Sequence, residues 1–281
     1  MAILSQLILY PIKSCAGMGV TEAVATVSGL SAQGVHDREW MLVTPEGQFL
    51  TQREYPRMAT IVPRVERASM VVTAPGMAEL HLPLAQRAGV PTVRVQIWDD
   101  VVDAADCGNA AAQWFAEALG AACRLVRFPP GLDRPTSEKW TGGAPSSARF
   151  ADAYPLLLIG ASALGEINAR LLAAGREALP MNRFRPNLVA EGTDPFEEDY
   201  TESLRAGDVL VRPVKPCARC PIPAIDQATG IPGPDPLDVL QSWRGKAILD
   251  GAVCVGMNCI VADGAGGVLR VGQELDIALS F

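Results

Sequence analysis

Short apolar runs, each cut after a few residues by a turn signal, fill the first hundred positions and leave no room there for a long helix. Residues 2–10 and 20–27 read as strands, with the turn-like Lys13-Ser14-Cys15-Ala16-Gly17 between them. Residues 40–44 form another, which Pro45-Glu46-Gly47 turns back toward residues 49–51. Residues 60–66, 70–73 and 92–98 continue the pattern. In the last, Val93, Val95 and Ile97 share one face while Arg94, Gln96 and Trp98 share the other.

Helices come later and are few. Asn109 is placed to cap a helix over residues 110–119, striped with Trp114, Phe115 and Leu119 and stopped by Gly120. A strand follows at 123–128. Residues 129–150, heavy in Pro, Gly, Ser and Thr, mark a division of the chain into domains at 1–125 and 126–281. Beyond it, 155–159 reads as a buried strand. Ser162 caps a helix carrying Leu164, Ile167, Leu171 and Leu172, which Gly175 ends. Residues 187–190 and 208–214 are strands, and Asp235-Pro236 opens a short helix through Trp243 that Gly245 stops. Strands at 252–261 and 274–279 flank a turn at 263–267. The fold class is α+β, mainly β, with barrels or sandwiches favoured over a doubly wound sheet, and no dinucleotide fingerprint is present.

The 281 residues suffice for a large core. With 24 Lys+Arg against 31 Asp+Glu, the balance disfavours a general nucleic-acid or anionic-membrane binder. The first residues lack a basic region ahead of their short apolar run, which excludes a signal peptide, and no run approaches the roughly 18 residues of a membrane span. Seven scattered cysteines without secretory context suggest reduced thiols in a cytoplasmic protein.

The chemistry gathers at Lys215-Pro216-Cys217-Ala218-Arg219-Cys220-Pro221, just past a strand. A Cys-x-x-Cys admits a zinc half-site, a redox dithiol, or one metal-binding thiolate beside a bystander. Zinc wants a second ligand pair. Cys254 and Cys259 sit at an odd offset on a strand and face opposite ways unless a bulge intervenes, while His36 and His81 carry no ligand spacing. A dithiol wants a helix N-terminus, and Pro221-Ile222-Pro223 is poor helix. Spacing alone leaves the choice open. Lys13, Arg38, Arg185 and Arg219 add four cations at strand edges, with Pro186 holding Arg185 extended. Arginine suits bidentate phosphate contacts, so a phosphate-bearing ligand is a candidate.

Together, Tyr10-Pro-Ile-Lys-Ser-Cys15, Asp37-Arg-Glu-Trp40, Asp106-Cys-Gly108 before Gln113-Trp114, Arg183-Phe-Arg-Pro-Asn187 and Cys217-Ala-Arg-Cys220 with Ile225-Asp-Gln-Ala-Thr-Gly230 strongly resemble the MOSC proteins. Within these the likeness is to the amidoxime-reducing component family and its bacterial relatives, from about residue 3 to residue 279. The resemblance implies two β-barrel-like domains, a MOSC N-terminal domain and a MOSC domain, with molybdenum cofactor (Mo-molybdopterin) between them. It puts Cys220 on the metal and Lys13, Ser14, Arg38, Arg185, Arg219 and Asn187 on the pterin and its phosphate, with Asp226 as a proton donor or supporting group. Ala153-Tyr154 stands where relatives carry Ser/Thr, so Tyr154 would supply the hydroxyl, and Ala218 replaces a frequent Ser. Cys15, Cys107 and Cys123 are expected to be packing thiols. The membrane anchor of the mitochondrial members and the ferredoxin-like domain of some bacterial ones are not expected here.

The implied activity is a molybdenum-dependent reductase of N-hydroxylated compounds, amidoximes and hydroxylamines. It would be a monomer drawing electrons from a separate flavin, haem or iron–sulfur protein. The alternative is a cofactor or sulfur carrier related to the MOSC domain of cofactor sulfurases.

Overall fold

The computed structural model describes residues 1–85 and 89–280. Seven strands close into a barrel in the order Leu156–Gly160, Leu188–Glu191, Ala2–Leu9, Glu274–Leu279, Thr201–Ala206, Val209–Ala218 and Ala252–Asp263, which pairs back to Leu156–Gly160. Every pairing is antiparallel except Leu156–Gly160 with Leu188–Glu191, which helix Ala161–Ala173 joins as a crossover. Three smaller sheets lie beside the barrel. One orders Thr92–Ile97, Asp100–Asp106, Arg124–Arg127 and Trp40–Val43. The others join Val62–Glu66, Ser69–Thr73 and Leu80–Pro83, and Val268–Arg270, Glu22–Thr26, Gly29–Ala32 and Val35–His36. The protein is thus mainly β with a few helices, as its patterning implies. No helix among the described residues is long and apolar enough to cross a membrane.

The expected division at 125/126 falls inside the Arg124–Arg127 strand, whose ladders to Trp40–Val43 and Asp100–Asp106 hold it in the first half. The halves also exchange strands. Ala2–Leu9 sits within the barrel between Leu188–Glu191 and Glu274–Leu279, and Val268–Arg270 pairs with Glu22–Thr26. The strand expected over 20–27 is therefore two, Met18–Val20 and Glu22–Thr26, serving different sheets.

Helix ends shift for local reasons. Gly108, not Asn109, caps Asn109–Leu119, because its φ of 90° breaks the helix while its carbonyl accepts the Ala112 N–H. Gly160 caps Ala161–Ala173, leaving Ser162 inside the first turn. The buried stripe of that helix is Ala163, Ile167 and Leu171, at strict i, i+4 spacing, and Leu172 points to solvent. Burial of Ile167 and Leu171 against Val253 and Val255 contributes about 1.5–3 kcal/mol per side chain. Pro236, not Asp235, is the cap of Leu237–Arg244, and Asp235 just before it accepts the Leu237 N–H on Oδ1 at 3.0 Å.

Candidate functional site

One cavity at the barrel's edge is lined by Lys13, Ser14, Arg38, Tyr154, Arg185, Asn187, Arg219 and Cys220, from five separate chain segments. Lys13 and Ser14 follow the Ala2–Leu9 strand and Arg38 precedes Trp40–Val43. Tyr154 precedes Leu156–Gly160, Arg185 and Asn187 lead into Leu188–Glu191, and Arg219 and Cys220 leave Val209–Ala218. In that last strand Pro213 and Pro216 cannot donate to the ladder, and its register shifts at Pro213/Lys215 and Pro216/Ala218. Strict alternation would put every second residue on one face. With the shifts, Lys215 through Cys220 all line the cavity.

Three of these residues hold left-handed backbones, Ser14 at φ 64°, Arg38 at 47° and Arg185 at 56°, so Arg185 is not extended as the following Pro186 implied. Such strain costs of order 1–3 kcal/mol each and persists where surrounding contacts over-determine it. Here they do. The Arg38 N–H donates to Tyr10 O at 2.8 Å, Gln52 Nε2 donates to Ser14 O at 2.7 Å, and Arg185 Nη2 donates to Cys15 O at 2.8 Å.

The cations differ in how far they are neutralised. Lys13 is buried, with Nζ donating to Phe150 O at 3.0 Å and to the Asp152 carboxylate, which also accepts from Trp98 Nε1 at 3.1 Å. Burial lowers the Lys13 pKa and Asp152 opposes that shift. Arg38 pairs with Asp37 and donates to Asn187 Oδ1 at 3.1 Å. Arg185 and Arg219 have no carboxylate partner among the described residues. Arg185 reaches only Cys15 O and Gln227 Oε1, and burial lowers its pKa. Arg219 donates to Phe184 O at 2.8 Å and to Cys217 Sγ at 3.2 Å, leaving a buried Nε without an acceptor. An anion in the cavity would meet two uncompensated guanidiniums.

Two expected ligand residues take other places. Asn187 spends its whole amide within the protein, donating to Ile8 O and Asp37 Oδ1 and accepting from Arg38 Nη1 and Leu157 N–H, all at 3.0–3.1 Å. It therefore holds Arg38 and has no bond left for a ligand. Asp226 lies outside the cavity. One oxygen accepts from the Ala228 and Thr229 amides and the other from Arg183 Nη2 at 2.8 Å, and these amide bonds, led by Thr229, lower its pKa. Tyr154 lines the cavity, and burial raises the pKa of its hydroxyl, which lies near Ser137.

Cys217 and Cys220 are partly exposed beside each other, and only a short turn, Ile222–Ala224, follows them. Cys15, Cys123, Cys254 and Cys259 are buried, and Cys107 is partly so. Burial pushes Cys15 and Cys107 up to about 12 and Cys123 and Cys254 up to about 11. The register shift opposite Gly256, at φ 76°, supplies an irregularity between Cys254 and Cys259, yet both stay buried. Among the described residues no three His, Cys, Asp or Glu side chains converge as metal ligands.

The sequence model of the MOSC N-terminal beta barrel domain matches residues 1–122, and that of the MOSC domain matches residues 145–276. The chain belongs to the MOSC family. It is 35% identical over 244 residues to mitochondrial amidoxime reducing component 2 of Homo sapiens, covering 85% of this chain and 72% of that protein. Mitochondrial amidoxime-reducing component 1 of Mus musculus is 33% identical over 245 residues, 85% and 71% of the two chains. The crystal structure of the YUAD protein from Bacillus subtilis aligns over 98% of this chain and 94% of that one at 10% identity, with a TM-score of 0.40 that carries no argument.

Two further residues line this MOSC cavity and a third backs it. Asp152 compensates Lys13, Lys215 lines the wall with its ammonium 5.4 Å from the Trp140 ring, and Tyr10 lies beneath two of the arginines. Tyr10 and Lys215 stand inside quoted motifs. Asp152 has no sequence signal of its own.

Proposed function

We propose that this MOSC protein binds molybdenum cofactor in the cavity and reduces N-hydroxylated compounds, such as amidoximes, with electrons from a separate donor protein. The observation that carries the reading is the convergence on one cavity of a partly exposed thiol, Cys220, with two arginines lacking counter-ions, Arg185 and Arg219. The donor set fits that group. A soft thiolate suits the metal, and the two arginines without a carboxylate partner among the described residues suit a phosphate. The names of the relatives supply the substrate class.

When bound, the cofactor supplies two-electron chemistry that the side chains lack. Cys220 Sγ would anchor the metal, and Arg38, Arg185 and Arg219 would fix the anionic end. Conversion of an amidoxime to an amidine consumes two electrons and two protons, breaks the N–O bond and releases water. Lys13 Nζ, held by Phe150 O and the Asp152 carboxylate, would add its positive charge to the anion-binding side of the cavity. Cys220→Ala should reduce bound molybdenum and amidoxime turnover at least tenfold. Full activity with an unchanged metal content would sink the assignment.

A second reading, sulfur handling, rests on the Arg219 contact to Cys217 Sγ at 3.2 Å, which sets a guanidinium beside that sulfur. A persulfide on Cys217, found by mass spectrometry in protein that turns over no amidoxime, would favour it.

A further inference from the structure

Two cations of the cavity share one aromatic ring. The guanidinium carbon of Arg38 lies 4.4 Å from the Tyr10 centroid and that of Arg185 lies 4.2 Å from it. Both are inside the roughly 6 Å reach of a cation–π contact. Arg38 comes from the first half of the chain and Arg185 from the crossover of the barrel, so the ring is where the two meet. Their mutual repulsion needs an offset. Arg38 has Asp37 and Asn187. Arg185, 8% exposed, bonds only two neutral acceptors among the described residues, with the Asp37 carboxylate acting on it from further off and the face of Tyr10 directly against it.

Tyr10 itself is fixed from both sides. Its N–H donates to Asp37 Oδ1 at 2.8 Å, and its carbonyl accepts the Arg38 N–H at 2.8 Å. The ring packs on Gly17, where an added Cβ would come within 2.6 Å of Tyr10 Cε1 and 2.7 Å of Ile8 Cγ2. Gly17 has no positive φ, so space rather than backbone conformation calls for glycine there. A stiff ring wedged between a glycine and two arginines cannot drift without moving both charges.

We propose that Tyr10 is a positioning residue whose ring fixes the separation of Arg38 and Arg185, and that this separation sets how tightly the cavity holds a phosphate group. The inference rests on the cofactor reading for its ligand. It requires the ring and not the hydroxyl.

Three variants separate these elements. Tyr10→Phe keeps the ring, Tyr10→Leu removes the π face, and Gly17→Ala displaces the ring without changing it. Chain from a host unable to make the cofactor is titrated with inorganic phosphate and followed by thermal unfolding. Chain from a competent host is assayed for pterin by fluorescence after oxidative release. Tyr10→Phe should bind phosphate as the unsubstituted chain does, and the other two about tenfold more weakly, with pterin content falling in the same order. Equal phosphate binding by Tyr10→Leu and Tyr10→Phe overturns the proposal, and so does an unsubstituted chain that phosphate leaves unaffected. Should Tyr10→Leu not fold, undiminished phosphate binding by Gly17→Ala overturns it instead. Phosphate binding that follows the expected order, with no pterin in chain from the competent host, supports the role of Tyr10 while removing the cofactor reading.

Discussion

Glu198 is buried at the N-terminus of the Ala161–Ala173 helix, where neither carboxylate oxygen receives a well-formed hydrogen bond. Burial raises its pKa to about 7 from 4.5, although the amides of Glu198 and Gly160 lie close enough to favour the anion somewhat. Below pH 4.5 the folded and unfolded chains both carry the proton, and the site costs nothing. As the pH rises from 4.5 to 7 the unfolded chain releases its proton while the folded chain keeps it, so stability falls. Above pH 7 the penalty is constant, at about 3 kcal/mol from 1.36 kcal/mol per pKa unit. Glu198→Gln keeps an amide oxygen to accept from Gly160 and cannot ionise. It should stabilise the protein by up to about 3 kcal/mol at pH 8 and by almost nothing at pH 4. Spread over 281 residues at roughly 2.1 cal/mol/K each, that is a rise in Tm of about 5 °C at pH 8. Scanning calorimetry of both chains at the two pH values measures it. A gain of equal size at both, or none at pH 8, would refute the reasoning.

Asn187→Ala strips partners from Ile8 O, Leu157 N–H, Asp37 and Arg38, and should lose about 3 kcal/mol or more in urea unfolding. A loss below 1 kcal/mol would show the network to be slack. Asp199→Ala leaves Arg244 buried without its carboxylate and should lose about 3–5 kcal/mol, part of which Arg244→Met in the same chain should restore. Asp226→Asn gives up one half-exposed ion pair with Arg183 but can still close the turn at Thr229, so stability should change by less than about 1 kcal/mol. Cofactor content and amidoxime turnover should both hold within twofold. A tenfold loss of turnover at full cofactor content would return Asp226 to the chemistry.

The β character was legible because period-two alternation is a local property, plain at Val93, Val95 and Ile97. Helix existence was legible for the same reason, and helix boundaries less so. Gly108 and Gly160 cap where Asn109 and Ser162 looked better, since the capping geometry depends on backbone angles that side-chain preference does not report. Motif order named the cavity residues, but not what each of them does. Asn187 and Arg38 are written identically as polar motif positions, yet one is saturated inside the protein and the other faces the cavity. Asp152, Tyr10 and Lys215 act through contacts between distant segments, and nothing local in the chain marks such meetings. The strand exchange between the halves was equally hidden, because partner choice between strands is set by the whole sheet rather than by either strand's pattern.

That exchange bears on how the molecule is made. Ala2–Leu9 is synthesised about 265 residues before one of its two barrel neighbours, Glu274–Leu279. Until Glu274–Leu279 emerges, Ala2–Leu9 keeps one edge open, and the barrel cannot close before then. Lys13 and Ser14 hang from the end of that waiting strand. The cavity is consequently complete only once segments far apart in the chain have met.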